Sequence, residues 1–154
     1  MSFFNKTLNK LIKKNITIST VESCTGGLLA NSFIKYNNAS KVFKTGYITY
    51  SNESKINNLN INKNILKKHG AVSAEIAKKM VENLYNIEKC QITISTTGIA
   101  GPKGGKTSKP VGLIYVGIKY KTKTKIYKKK FTGTRIQIQK KTVKYIFYIL
   151  NKLI

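Results

Sequence analysis

Two periods of apolar spacing divide this chain into elements. Over residues 3–14, Phe4, Leu8, Leu11 and Ile12 fall on one helical face and predict an amphipathic helix. Residues 15–21 (Asn-Ile-Thr-Ile-Ser-Thr-Val) alternate with period two and predict a strand. The Ser23-Cys24-Thr25-Gly26-Gly27 turn follows, then a helix from Leu28 to Tyr36. A second strand is predicted over 44–50, and a short helix over 52–59 with Ser51 or Asn52 as its cap. Ser73 caps another helix, whose stripe is Ile76, Met80 and Leu84. Residues 91–97 read as a strand and 98–110 as a glycine- and proline-containing loop.

Two further β-rich segments, about 111–120 and 124–131, are separated by a Lys/Thr turn and predict a hairpin. A last helix starts near Thr134 and places Ile136, Val143, Ile146, Phe147, Leu150 and Leu153 on one face. Helices alternating with strands predict an α/β fold: a layered α/β/α sandwich with a mixed, mostly parallel sheet and a late β-hairpin. We expect one domain over residues 1–154, with no linker and no repeat.

Composition changes this picture in one respect. The chain carries 29 basic and five acidic residues, a formal net charge of +24. That balance invites a nucleic-acid reading. Against it, Arg135 is the single arginine, whereas arginine is preferred for bidentate phosphate and base contacts. The lysines are spread along the whole chain, and Lys, Asn, Ile, Tyr and Phe, all encoded by A- or T-rich codons, are abundant together. We therefore expect no specific nucleic-acid partner. No apolar run approaches the ~20 residues of a membrane helix, so no membrane partner is expected. The basic N-terminal segment could pass for a transit peptide, but its apolar stripe reads as an ordinary first helix. Two cysteines, Cys24 and Cys90, suit a reducing compartment, and a cytoplasmic location is expected.

Three segments could carry chemistry. Glu22-Ser23-Cys24-Thr25-Gly26-Gly27 sits where a strand hands over to a helix, the end at which open α/β sheets bind ligands. Backbone N–H groups at that helix start could stabilise an oxyanion or hold a phosphate. The same residues would equally serve as a plain capped helix after a glycine turn. Tyr50 and Lys55 lie at a strand end and just beyond it. A lysine becomes a general base if burial or positive neighbours lower its pKa, but in so basic a chain the plain reading of any one lysine is a surface residue among many. The segment from Thr97 to Thr107 resembles a P-loop but lacks its spacing: the glycine needed five positions before Gly105 is replaced by Ala100. It remains a glycine loop suited to an anionic ligand.

Elimination narrows the chemistry. The chain has no aspartate and one histidine, His69, so a Ser-His-Asp triad is impossible. Its histidine, cysteines and glutamates show no metal-ligand spacing, and no metal or cofactor is expected. A Ser–Lys pair is the hydrolytic arrangement least short of parts.

Four blocks, in one order and spanning nearly the whole chain, resemble the CinA C-terminal-domain family, which includes nicotinamide-nucleotide amidase. They are Glu22-Ser-Cys-Thr-Gly-Gly27, Tyr50-Ser-Asn-Glu-Ser-Lys55, His69-Gly-Ala-Val-Ser73, and Thr97-Gly-Ile-Ala-Gly-Pro102 with Gly104-Gly105 and Lys109-Pro-Val-Gly112. The resemblance implies deamidation of nicotinamide mononucleotide to nicotinate mononucleotide and ammonia. It further implies Ser23 as nucleophile with Lys55 and Tyr50 as partners, Tyr50 orienting or relaying the proton, and Cys24 bystanding despite its nucleophilic thiol. We expect substrate contacts from Thr25, Gly26 and Gly27, with the oxyanion on N–H groups near Thr25 and Gly26. Gly98, Gly101, Gly104, Gly105 and Arg135 would hold the phosphoribosyl end. The expected partners are that small molecule and further copies of the chain. Two positions depart from the family pattern: Thr134 replaces an acid before Arg135, and Lys103 stands where an acid is frequent. A catalytically degenerate member, or a basic nucleic-acid-binding protein, are the alternatives.

Overall fold

The structure is a computed structural model that describes residues 2–154. Helix α1 (Phe3–Lys13) is capped by the Ser2 hydroxyl and buries Leu8 and Leu11. Strand β1 (Ile18–Glu22) leads through the glycine turn into α2 (Leu28–Ile34), and β2 (Phe43–Ile48) leads into α3 (Asn52–Leu59). Helices α4 (Lys63–His69) and α5 (Ala74–Glu88) precede β3 (Ile92–Gly98). Strands β4 (Leu113–Tyr120) and β5 (Lys123–Lys130) form the hairpin, and α6 (Arg135–Leu153) closes the chain.

The five strands form one sheet in the order β2-β1-β3-β4-β5. β1 pairs parallel with both β2 and β3, while β4 is antiparallel to β3 and to β5. Four strands thus point the same way and β4 alone is reversed. One apolar cluster joins α1, α2 and α6 to one face of the sheet, around Phe33, Phe147 and Leu150. On the other face α3, α4 and α5 pack around Met80, Leu84 and Leu59. These layers are the expected α/β/α sandwich. Burying each such aliphatic or aromatic side chain contributes roughly 1.5–3 kcal/mol.

β3 is buried on both faces, yet its sequence is Ile-Thr-Ile-Ser-Thr-Thr-Gly. Its isoleucines face the α6 cluster. On the opposite face the Thr93 and Ser95 hydroxyls donate to the Val81 and Ala77 carbonyls of α5, so burial leaves them satisfied.

The structure differs from the sequence reading in several places. β1 starts at Ile18 and not at 15, because Asn15 is in a turn with φ of +52°, and α2 ends at Ile34, short of Tyr36. Helix α4 was not expected: it has seven residues, little apolar periodicity, and a start fixed by Asn62 capping Asn64 and Ile65. β2 ends at Ile48, not at Tyr50. Ile136, expected on the buried face of α6, is 61% exposed, because the first turn of the helix stands clear of the sheet and Ile138 is the first side chain to reach the core.

Candidate active site

Three parallel strands end side by side, and the candidate residues follow from those ends, as in other open α/β sheets. Ser23 comes directly after β1. Its N–H donates to the Thr96 carbonyl at 2.9 Å and continues the β1–β3 ladder by one residue. Thr49 comes directly after β2, and its N–H donates to the Glu22 carbonyl at 2.9 Å. Ser51 then caps α3 by accepting from the Ser54 N–H. Lys55 sits in the first turn of that helix, and its side chain runs back towards the strand ends, as helical side chains do.

The result is a buried polar pair. Lys55 is 0% exposed, and its Nζ lies 3.1 Å from Ser23 Oγ and 2.7 Å from the Thr49 carbonyl oxygen. Both partners are neutral. The one close approach of a basic ring or amine to a side-chain carboxylate recorded among the described residues is elsewhere, between the His69 ring and Glu75 at 3.7 Å. Loss of hydration with no paired anion lowers the Lys55 pKa from 10.5 to about 8, with the nearby Cys24 sulfur pulling weakly the other way. The Thr49 carbonyl matters for direction: it holds one amine N–H and leaves the nitrogen free to face the Ser23 hydroxyl.

Glu22 is also fully buried, and it is committed to structure. One carboxylate oxygen accepts from Thr25 Oγ1 at 2.6 Å and the Leu29 N–H at 2.8 Å, and the other accepts from the Ala30 N–H at 3.0 Å. The carboxylate therefore caps α2 from within, where a negative charge is favoured. This corrects the expectation that the α2 start would offer its N–H groups to a substrate.

Thr25, Gly26 and Gly27 lie off the cavity. Thr25 is 2% exposed and bonded to Glu22 and Thr96. The Gly26 N–H donates to the Ser23 carbonyl. Gly26 and Gly27 have φ of +54° and +95°, left-handed values that let the chain reverse between β1 and α2. The Cys24, Thr25 and Gly27 N–H groups donate to no other backbone carbonyl, and of these three residues Cys24 lines the cavity beside Ser23.

Ser23 and Lys55 open onto a cavity of about 310 Å³. The β3–β4 loop forms one wall through Gly98, Gly101, Lys103 and Gly104, and Ala71 with Val72 forms another. Gly98 is forced: a Cβ there would lie 2.5 Å from the Leu113 carbonyl oxygen and from Ile114. Gly105, expected in the site, turns away and packs against Val111. Arg135, at the start of α6, donates to the Gly101 carbonyl at 2.7 Å and to Tyr50 Oη at 2.8 Å. Tyr50 thus lines the cavity, but its hydroxyl meets Arg135 and not the Ser23–Lys55 pair. The cavity wall contains Lys55, Lys103 and Arg135 and, among the described residues, no carboxylate.

Cys24 is 4% exposed, and burial pushes its thiol up to about 12. A helix start ordinarily lowers a thiol pKa, but here the sulfur sits in the α1–α2–α6 core and desolvation prevails. His69 uses its carbonyl to hold Lys109, and its ring faces Glu75. Thr134, the departure before Arg135, is the N-cap of α6 and completes a capping box with Gln137. Sequence reasoning missed the Thr49 carbonyl and the wall from Ala71 and Val72, whereas of the two roles the sequence offers for Glu22, a lysine partner or the N–H groups of the helix start, the structure takes the latter. Of the two that were missed, the Ala71–Val72 wall alone had a signal, the His69–Ser73 block.

Residues 2–154 match the CinA C-terminal domain family. The chain belongs to that family. A relative from Clostridium botulinum (strain Loch Maree / Type A3), named for competence-damage induction, is 49% identical over 94% of this chain and 35% of its own length. A CinA-like protein of Fusobacterium nucleatum is 45% identical over 92% of this chain and 34% of its own. The chain spans about a third of the length of these relatives. Among solved structures, the competence damage-inducible protein A of Klebsiella pneumoniae superposes with a TM-score of 0.93 at 28% identity, covering 97% of this chain and 93% of that one. A competence/damage inducible protein of Agrobacterium tumefaciens gives 0.92 at 29% identity, over 99% and 96%. The five-stranded mixed sheet and its two helical layers are thus the CinA fold.

Proposed function

We propose that this CinA domain is a Ser–Lys amidohydrolase that converts nicotinamide mononucleotide to nicotinate mononucleotide and ammonia, acting in the cytoplasm. The observation that carries the reading is the fully buried Lys55 amine 3.1 Å from Ser23 Oγ, without an acidic partner. A structural lysine would be paired or exposed. One left unpaired beside a hydroxyl is poised to give up its proton and act as a base.

The steps follow from those contacts. With Lys55 neutral, the Ser23 hydroxyl donates to Nζ, and Oγ attacks the carboxamide carbon as its proton passes to the amine. The tetrahedral oxyanion accepts from the Cys24 N–H. Lys55, now an ammonium, protonates the departing nitrogen, and ammonia leaves an acyl ester on Ser23. Water attacks that ester with Lys55 again as base, which releases the carboxylate product and restores the serine. Arg135 and Lys103 attract the phosphate end of the substrate, and the charge of the cavity favours an anion over a neutral amide. Tyr50 positions the Arg135 guanidinium.

Replacing Ser23 with Ala tests this. Ammonia release from nicotinamide mononucleotide is expected to fall by roughly a thousandfold or more, with the circular dichroism spectrum unchanged. Undiminished release from the variant removes the proposal.

A further inference from the structure

All five glutamates lie between positions 22 and 88. β4, β5 and α6 therefore carry no acidic side chain, while they hold many of the lysines. Along the sequence those lysines look scattered. The fold gathers them on the seam where β5 meets α6. β5 is the edge strand of the sheet, and Lys123, Lys125 and Lys129 alternate along it on the face that α6 covers. Lys141, Lys144 and Lys152 stand on the exposed side of α6.

Between the two rows runs a line of aromatic rings. Tyr127 and Phe131 each contact Tyr145 edge-on, with centroids 6.2 Å apart. Tyr120 adjoins Tyr127 in a cavity of about 300 Å³ at the hairpin end. Tyr148, 49% exposed, adjoins Phe131 and Tyr145 in a second cavity, of about 450 Å³. Lysine ammoniums already stand over three of these rings: Lys129 over Tyr145 at 4.9 Å, Lys121 over Tyr120 at 5.2 Å and Lys152 over Tyr148 at 4.3 Å. The catalytic proposal uses none of these residues.

We propose that the β5–α6 seam binds single-stranded nucleic acid without sequence preference. The exposed Tyr148 ring and the partly exposed rings beside it, set around two surface cavities, offer stacking platforms for unpaired bases, and lysines on both sides track the phosphates. Eight residues of extended strand reach roughly 25 Å, enough for a short single-stranded site of about four nucleotides. The near absence of arginine fits this class of ligand, because phosphate tracking and stacking need no bidentate reading of base edges. An anionic membrane would answer to the lysines but not to recessed rings between them.

The test uses the whole chain and a fluorescent oligothymidylate of roughly 20 nucleotides, followed by anisotropy against salt. Binding is expected to persist at about 0.15 M salt. The double variant Lys125→Gln/Lys144→Gln should flatten the slope of log affinity against log salt by about 1.4, whereas Lys67→Gln/Lys68→Gln on α4 should not change it. Tyr148→Ala should weaken binding about fivefold or more at fixed salt, and Tyr148→Phe should keep it. All these side chains are exposed, so the fold is retained, and ammonia release should be unchanged in every variant. Equal slopes from the two lysine pairs would reduce the effect to net charge and overturn the proposal. Indifference to Tyr148→Ala would overturn it too, as would binding to phosphatidylserine vesicles but not to the oligonucleotide at that salt.

Discussion

Lys55 and the lysines of the β5–α6 seam are the same side chain in opposite surroundings. Lys55 has lost its water, faces one hydroxyl and one carbonyl, and has its pKa lowered to about 8. The seam lysines keep their hydration and lean on aromatic rings. Charge alone says nothing about role. Desolvation makes one amine a base, while exposure leaves the others as counter-charges for a polyanion.

The sharpest way to break this contrast is Lys55→Met, which keeps most of the side-chain volume and removes the amine. Activity in the ammonia assay should fall by about a thousandfold or more. Stability should not fall, because an unpaired buried amine is replaced by an apolar group. A large loss of stability would make Lys55 structural and dissolve the comparison.

The second effect is on pH. The folded pKa of Lys55, about 8, lies below its unfolded value of 10.5. Below pH 8 both states hold the proton, and burying the charge costs stability. Between pH 8 and 10.5 the unfolded chain binds more protons, so stability rises with pH across that window by roughly 3 kcal/mol in total. Cys24 acts in the opposite sense above pH 9, because its thiol is pushed up to about 12. Urea midpoints of the wild type and Lys55→Met, compared at pH 7 and pH 10, isolate the lysine. Activity should rise over the same range as the free base accumulates, until another group limits it.

Smaller effects sharpen the boundary of the site. Arg135→Ala frees both Tyr50 and the Gly101 loop and should raise KM about tenfold or more, with a lesser change in kcat. Tyr50→Phe should cost only a fewfold, because the phenol meets Arg135. A loss of about a hundredfold or more would restore a proton-relay role. Cys24→Ala should leave kcat within a fewfold and lower stability by about 1 kcal/mol. Removing seam lysines should change stability by no more than about 0.5 kcal/mol.

Much of this protein is legible in its sequence where the signal is local. The strand-forming runs that became Ile18–Glu22 and Ile92–Gly98, the Lys/Thr turn of the hairpin, Ser73 as a cap and the long stripe of α6 all encode their own backbone. Helix α4 was hidden because its order comes from packing Leu66 against α5, not from a periodic face. Ile136 misled because periodicity reports a helical face but not where the sheet begins to cover it.

The site divides in the same way. The family blocks marked Ser23, Tyr50 and Lys55 as a set, and Arg135 was added to them as an inference about the phosphoribosyl end. That Lys55 meets Ser23 across 32 positions, that Tyr50 meets Arg135 across 85, and that Gly105 turns outward are long-range facts. The same holds for Glu22, which the sequence places beside the nucleophile but which only the fold commits to α2.

What the sequence determined by itself is the order of elements, their caps and turns, and the family blocks, because each depends on neighbours within a few residues. What tertiary structure decided is which polar groups lose water. Burial is a property of the whole packed chain, so the lowered pKa of Lys55, the raised one of Cys24 and the gathering of lysines at the β5–α6 seam exist only once the sheet and its helices have closed together.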